Sequence, residues 1–248
     1  MEVHNHSHTE RKKWAHYFWE FLMLFLAVFC GFLAEYQLEH KIEKNRERQF
    51  INSLVNDVKT DTARLHTIIF NRTERESRLD SLELLLNSPS PGNYAKDIYL
   101  LAVTAARTNI IRFIPNDGTI QQLKNSGGLR LIRKHNVADS IAKYDITIRF
   151  LSRQGELEET LINDYRETAP NIFDARIFGQ MLDSNNNVSR LLKEDPKLLP
   201  FTQKELQHWN YRMYSMKALN KAIRRDARIF LQQAVNLLNT LEREYPPK

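Results

Sequence analysis

One run of apolar residues near the N-terminus, residues 17–36, constrains most strongly what this chain can fold into. The run has the length of about 20 residues that a helix needs to cross the hydrocarbon core of a bilayer. Its inner part, residues 21–34, carries no charged side chain. The aromatic residues Tyr17, Trp19 and Tyr36 lie near its two ends, where membrane-spanning helices commonly place tyrosine and tryptophan. The run therefore predicts a transmembrane helix over residues 17–36 that anchors the chain in a lipid bilayer.

Two alternatives to an anchor are a cleaved secretory signal and the buried core helix of a soluble protein. Signal peptidase requires small residues one and three positions before the cut, and a cut after Ala34 would place Phe32 at the third position. A lipoprotein cleavage before Cys30 meets the same obstacle, because Phe29 precedes that cysteine. The aromatic residues at the ends argue against a soluble core helix. The sequence thus favours an uncleaved anchor.

Two features inside the run have functional alternatives. Glu20 is an ionisable residue in an apolar segment and hence a functional candidate, but it lies near the start of the run, from where its side chain can reach the lipid headgroups. Ala27 and Gly31 have the small-x-x-x-small spacing that lets two membrane helices approach closely. We expect Glu20 to be interfacial, and self-association through Ala27 and Gly31 stays open.

The basic residues that flank the run predict its orientation. Three of them, at positions 11–13, precede the run, whereas four follow it between positions 41 and 48 and are interleaved with glutamate. Cytoplasmic segments of membrane proteins carry the excess of lysine and arginine. The tight group on the short N-terminal tail therefore favours a cytoplasmic N-terminus and an extracytoplasmic, periplasmic location for the rest of the chain.

Residues 37–248 are numerous enough to form one domain with its own hydrophobic core. The whole chain has only seven glycines and eight prolines, which is typical of long helices. Apolar residues recur at helical spacing, and this stripe is interrupted at Asp61, Arg72, Arg75, Gly155 and Glu158. We predict an all-α protein, in which a polar tail (1–16) and the transmembrane helix precede a long antiparallel helical bundle (37–248) with coiled-coil-like packing.

Capping and turn residues divide the bundle into segments. The clearest start is a capping box formed by Thr202 and Glu205, whose side chains can satisfy unpaired amides at a helix N-terminus. The predicted segments are a helix that continues the anchor to Asn87, a helix over 94–112, a short helix capped by Thr119 that ends at Ser126, a helix capped by Asn136 that ends before Pro170, an irregular segment over 171–200, and a final helix from Thr202 to Pro246.

One segment, residues 116–132, carries a family resemblance. It reads Asn116-Asp-Gly-Thr-Ile-Gln-Gln-Leu-Lys-Asn-Ser-Gly-Gly-Leu-Arg-Leu-Ile132 and is followed by Ile141 and Tyr144. This pattern resembles an uncharacterised family of bacterial membrane-anchored helical proteins, which share a Thr-x-x-x-Leu-Lys-x-Ser-Gly-x-Leu-x-x-Ile segment. The resemblance covers the anchor and roughly residues 35–170. It implies this architecture and no catalytic residue, because the family has no established activity.

Metal binding has two weak candidates. His4, His6 and His8 place three imidazoles at alternate positions, and imidazole is the commonest side chain that binds transition metals. They lie in a polar tail that supplies no fourth ligand, so we expect an incidental tail. Glu205 and His208 form half of the paired Glu-x-x-His pattern of di-iron bundles, but the chain has no second copy. We predict no metal and no cofactor.

The basic residues do not form a nucleic-acid-binding pattern. The chain carries a net charge of +6 with 27% charged residues of both signs interleaved, which is typical of solvated helix surfaces. The densest basic segment contains Lys217, Lys221, Arg224, Arg225 and Arg228, but it has no interleaved exposed aromatic residues. We predict no nucleic-acid partner, and contact of this segment with anionic lipid headgroups remains an alternative.

No catalytic motif occurs in the chain: it has no nucleophile elbow, no phosphate-binding glycine loop, no His-Glu-x-x-His and no pair of cysteines. The sequence therefore favours a membrane-anchored interaction, scaffold or sensor-like protein that is not an enzyme. Its partner would be a second protein or a second copy of the chain. The alternative is an enzyme, or an accessory of one, with an unrecognised site in the irregular segment 171–200.

Overall fold

The computed structural model describes residues 14–107, 111–185, 187–188 and 196–246. Within these ranges the chain is helical and contains no strand beyond an isolated bridge between Leu182 and Val188. The all-α prediction is confirmed. The helices are α1 (Trp14–Leu86), α2 (Ala95–Ala105), α3 (Gly118–Asn125), α4 (His135–Thr168), α5 (Ala175–Gln180) and α6 (Gln203–Glu244), with 3₁₀ turns at Pro91–Tyr94, Gly128–Leu131 and Ala169–Asn171.

Two helix boundaries, the end of α1 and the start of α6, lie where local signals in the sequence predict them. At the start of α6 the Oγ1 atom of Thr202 accepts a hydrogen bond from the amide of Glu205 at 3.3 Å, and Oε2 of Glu205 accepts one from the amide of Thr202 at 2.7 Å. The predicted capping box is thus confirmed. Helix α1 ends at Leu86, one residue before the predicted end.

The second helix is shorter than predicted, because α2 ends at Ala105 and not near residue 112. The backbone carbonyl of Ala105 accepts a hydrogen bond from Nε of Arg75 at 2.9 Å, and the carbonyl of Ile111 accepts one from Nη2 of Arg72 at 3.1 Å. The carbonyl at the end of α2 is therefore bonded to a buried arginine side chain of α1, and the carbonyl of Ile111, beyond the helix, is bonded to a second one.

Two predicted caps are wrong. Helix α3 begins at Gly118 and its N-cap residue is Asp117, whereas Thr119 lies inside the helix. The amide of Thr119 instead donates to Oδ2 of Asp57 at 3.3 Å, so a side chain of α1 satisfies an amide at the start of α3. Helix α4 begins at His135, and the side chain of Asn136 donates to Glu244 at the end of α6. At α3 a contact with α1 replaces the local cap, whereas at α4 the side chain of Asn136 binds α6 and caps no amide.

The chain forms two compact units, residues 1–49 and residues 50–248. In the larger unit, α4 and α6 run in opposite directions along one another. Lys134, just before α4, contacts Glu244 at the end of α6 with Nζ and Oε2 2.8 Å apart, and Asp164 near the end of α4 contacts Arg212 near the start of α6 at 2.9 Å.

Helix α6 also runs opposite to the part of α1 that belongs to this unit. Lys59 pairs with Glu242 at 3.2 Å, and farther along α1 Glu83 pairs with Lys217 at 2.9 Å. Helix α4 runs in the same direction as α1, because Asp61 contacts Tyr144 and Arg72 contacts Glu158. These three long helices provide most of the core.

The core consists of two apolar clusters. The first contains Leu54, Ile148, Phe230 and Leu237 with their neighbours, and the second contains residues such as Leu79, Tyr165, Trp209 and Met213. Along each long helix, buried polar residues lie between the two clusters: Arg72, Arg75 and Glu76 on α1, Glu158 on α4 and Asn220 on α6. Asp61 on α1 and Asp145 on α4 are buried too, but they lie at the level of the first cluster.

Candidate functional site: an exposed apolar helix, a buried charged layer and a cavity

The apolar part of α1 is exposed along its length. Within the part of the chain that the structure describes, α1 is the helix that is long and apolar enough to cross a membrane. No residue of its most apolar stretch of 18 residues is buried. Phe21 is 64% exposed and Phe32 is 67% exposed, as are more than half of the surfaces of Tyr17, Trp19 and Tyr36. Soluble monomers rarely expose a continuous apolar surface of this size, and such a surface marks a site of contact with lipid or with another protein.

The remaining predicted anchor residues lie on this exposed surface. Glu20 is within 3.1 Å of Nε2 of His16, one turn earlier, which keeps its carboxylate beside a polar group. Ala27 and Gly31 are exposed, and a Cβ atom added at Gly31 would meet nothing within 4 Å. The face with small side chains is therefore uncovered. His4, His6 and His8 lie outside the described residues.

Three of the residues that interrupt the apolar stripe, Arg72, Arg75 and Glu158, form one buried charged layer. Arg72 donates from Nη1 and Nη2 to the two carboxylate oxygens of Glu158 at 2.9 and 2.8 Å, in a bidentate pair. Arg75 donates from Nη1 to the same carboxylate at 2.7 Å. Asn220 accepts from Arg72 at 2.9 Å and donates to the backbone carbonyl of Arg72 at 3.0 Å. We expected Glu158 only as an interruption of the apolar stripe on this helix, and the structure shows that its carboxylate is buried and neutralised by the two arginines.

The charges in this layer do not cancel. Glu76 and Arg224 add a second pair at 2.9 Å beside Asn220, so three arginines face two glutamates. Burial lowers the pKa of Arg75 from its ordinary value, although the charge of Glu158 opposes this effect. Burial alone would raise the pKa of Glu158, but hydrogen bonds and charges from Arg72 and Arg75 hold it below its ordinary value. Glu158 is therefore ionised and is the carboxylate shared by both buried arginines.

Two guanidinium donors of this layer remain unpaired. Nε of Arg72 and Nη2 of Arg75 are buried and have no acceptor among the described residues. A buried donor without an acceptor is destabilising. The stability of the layer therefore comes from its ion pairs and from the apolar clusters on both sides. The sequence signal for this layer was the set of charged residues at stripe positions.

The segment that carries the family resemblance has a structural role. Asn116 donates from Nδ2 to Asp57 and from its backbone amide to Asp61, both at 2.8 Å. Tyr144 donates from its hydroxyl to Asp61 at 2.8 Å. Burial raises the pKa of Asp61 above its ordinary value. These contacts fix the connection before α3 on the surface of α1 and α4.

The end of the same segment is a tight turn. Gly127 has a φ of 67°, in the left-handed region that favours glycine. A Cβ atom added at Gly128 would lie 3.1 Å from the side chain of Leu123. Lys124 pairs with Asp145 on α4 at 3.1 Å. The motif therefore specifies a helix–turn connection, and within the described residues it brings no catalytic pair together.

The basic segment of α6 is largely neutralised by acids of the same chain. Arg224 pairs with Glu76, and Arg225 pairs with Asp226 at 3.0 Å. Lys217 contacts both Asp80 and Glu83. Glu205 is used by the capping box, and no cluster of three or more metal-ligating side chains occurs in the described part of the chain. This surface therefore gives no support for a nucleic-acid or metal site.

A cavity of about 510 Å³ lies between the end of α2, the end of α4 and α5. Its volume is within the range of about 300–1,000 Å³ that is usual for small-molecule sites. The walls are apolar and include four alanines, and two arginines, Arg107 and Arg166, also line it. No pattern in the sequence predicted this cavity, apart from the irregular segment expected over residues 171–200.

No protein-family model, no curated protein and no solved structure matches this chain. The resemblance of residues 116–132 to the family of bacterial membrane-anchored proteins therefore stays a prediction.

Proposed function

We propose that this chain is a single-pass membrane protein whose helical unit is an extracytoplasmic binding module of the interaction or sensor-like kind. The observation that carries the proposal is the exposed apolar surface of α1 over residues 17–36, with aromatic residues near both ends. A bilayer would cover this surface and match its length. The remainder of the chain would be an antiparallel bundle with coiled-coil-like packing that holds the binding surface near the membrane.

Binding is a better fit to the helical unit than catalysis. Its buried charged groups are engaged with one another in the layer around Glu158, and its large cavity is lined mainly by apolar side chains. A cavity of this size supports a sensor-like role, in which a small ligand is bound near the membrane, over a purely structural scaffold. A protein partner or a second copy of the chain would then contact the outer surface.

Extraction of membranes with alkaline carbonate tests the anchor. We expect the full chain to stay entirely in the membrane pellet, because removal of the apolar side chains of residues 17–36 from lipid is strongly unfavourable. A chain truncated before Glu39 is the matched control and should be soluble and helical. Release of the full chain into the supernatant would contradict the proposal.

The orientation is tested by reporter fusions at the C-terminus. The positive residues at 11–13 favour a cytoplasmic N-terminus, so a reporter that is active only outside the cytosol should be active. Substitution of residues 11–13 by glutamine should reduce the fraction of chains with this orientation. Activity of only a cytosolic reporter would reverse the assignment.

A further inference from the structure

We propose that the cavity between α2, α4 and α5 binds an amphiphile with an apolar tail and a single carboxylate. The inference deepens the proposed binding function, on which it rests, by naming the chemical class of the ligand. It does not depend on the membrane anchor.

The inner walls of the cavity fit an apolar tail. Ala102, Tyr165 and Phe173 are buried and line it, and Phe173 is packed against Trp209 with ring centroids 5.6 Å apart. Aromatic and small aliphatic walls offer dispersion contacts to a hydrocarbon chain or to a ring, and they offer few hydrogen bonds. A strongly polar ligand would lose its hydration without replacement in this environment.

Small side chains keep the space open. The lining contains Ala102, Ala106, Ala169 and Ala175, which come from α2, from the 3₁₀ turn after α4 and from α5. Ala102 is buried, Ala106 and Ala169 are half-buried and Ala175 is exposed, so the alanines line the space from its inner wall to its mouth. Alanines from three different elements leave a volume that an apolar ligand would fill with a gain in stability.

Two arginines supply the charge complement for a carboxylate. Arg166 is exposed, and its guanidinium hydrogen bonds go to neutral acceptors, the carbonyl of Ala106 at 2.9 Å and Oδ1 of Asn163 at 3.4 Å. Arg107 is half-buried and has no carboxylate at ion-pair distance among the described residues, although Asp183 is close enough to feel its charge. Other arginines of the bundle, such as Arg72 and Arg224, are paired with glutamate.

The geometry of arginine explains the preference for a carboxylate. A guanidinium presents parallel N–H donors that match the two oxygens of a carboxylate. An alcohol of the same tail length would gain the apolar contacts but not the charge-assisted hydrogen bonds. An amine would place a positive charge beside two arginines, so a cationic amphiphile should be excluded.

Equilibrium dialysis of octanoate against the full chain in lipid nanodiscs tests the inference, with empty nanodiscs as the blank for partition into lipid. We expect saturable binding at one site per chain. Arg107→Gln/Arg166→Gln should bind octanoate at least about tenfold more weakly, because it loses the hydrogen bonds to a charged group. Arg107→Gln alone, which removes no side-chain hydrogen bond among the described residues, should give part of this loss.

Two controls separate a specific site from general stickiness. Arg153→Gln removes an exposed arginine from the same helix as Arg166, away from the cavity, and should bind octanoate as the natural chain does. Val103→Phe fills the cavity from a half-buried wall position and should abolish binding, while circular dichroism shows an unchanged helix content.

Competition defines the head group. 1-Octanol and octylamine should each displace octanoate at least about tenfold less effectively than unlabelled octanoate does. The inference is overturned by the absence of saturable binding above the blank, by equal displacement with 1-octanol, or by an unchanged affinity in Arg107→Gln/Arg166→Gln. These results leave the carbonate extraction unaffected, so failure of the ligand assignment and failure of the anchor are distinguishable.

Discussion

Replacement of Glu158 by glutamine is expected to destabilise the helical unit by about 3–5 kcal/mol, because it leaves two buried arginines without their shared carboxylate. Glu158 is 3% exposed and accepts hydrogen bonds from Arg72 and Arg75 at 2.7 to 2.9 Å. Glutamine keeps the size of the side chain but has a single acceptor oxygen and turns an amide N–H₂ toward the guanidinium groups. The free energy of unfolding by urea, followed by circular dichroism of the full chain in mild detergent, measures the change.

The neighbouring residue provides the matched control. Glu159→Gln removes an exposed carboxylate from the same turn of α4, and its effect should stay within about 0.5 kcal/mol. Replacement of Arg72, Arg75 and Glu158 together by Met, Met and Leu removes both signs of charge, and it should restore much of the lost stability. Equal effects of Glu158→Gln and Glu159→Gln would contradict the buried ion-pair account.

The ion pairs of Glu158 with Arg72 and Arg75 make the stability of the helical unit sensitive to acid. In the folded chain the pKa of Glu158 lies below its ordinary value of 4.5, so folding favours its ionised form. The stabilisation is therefore present above the ordinary pKa and is lost as the pH falls through the lower pKa of the folded state. In Glu158→Gln, this part of the pH dependence of unfolding should disappear.

Truncation of Phe230 to alanine is expected to cost about 3–5 kcal/mol, through lost burial and an unfilled cavity. The ring is fully buried in the first apolar cluster, and it contacts Tyr144 and Phe113 with centroid distances of 5.0 and 5.5 Å. Ile229, the preceding residue of α6, is 52% exposed and offers a control of similar size. Ile229→Ala should change the free energy of unfolding much less. A loss below about 1 kcal/mol in Phe230→Ala would mean that this cluster is not well packed.

The sequence predicted those parts of the fold that depend on local signals. The capping box at Thr202 and Glu205 uses residues three positions apart, so the start of α6 can be read from the chain directly. The helical spacing of apolar residues likewise identified the buried faces of α1, α4 and α6. Contacts between distant segments decided the rest: for example, the carbonyl of Ala105 at the end of α2 accepts a hydrogen bond from the side chain of Arg75, 30 positions away.

The buried charged layer could not be predicted from the sequence. The sequence marks Arg72, Arg75 and Glu158 as interruptions of a stripe, which is equally compatible with exposed faces or with bends in the helices. Glu158 is 86 positions from Arg72, and Asn220 is 148 positions from it. Their partnership depends on the register of three long helices, and no local pattern encodes that register.

The cavity could not be predicted from the sequence for a related reason. Its walls come from α2, from the end of α4 and from the segment around α5, where apolar residues have no regular period. An alanine by itself is an ordinary residue in a sequence, and among the alanines of this lining Ala102 alone is buried. Only the packed structure shows that four of them leave a common space with Arg107 and Arg166 along its lining.

The anchor is tested most directly at Cys30, the single cysteine of the chain, which lies in the middle of residues 17–36. Its side chain is exposed on α1, so in water a membrane-impermeant maleimide would label it readily. The control is Cys30→Ala/Tyr214→Cys, because Tyr214 is 67% exposed on α6. In membranes opened to give the reagent access to both faces, the account predicts labelling of the control and no labelling of Cys30 until SDS is added. Labelling of Cys30 as fast as that of the control would show that water, and not lipid, surrounds this helix.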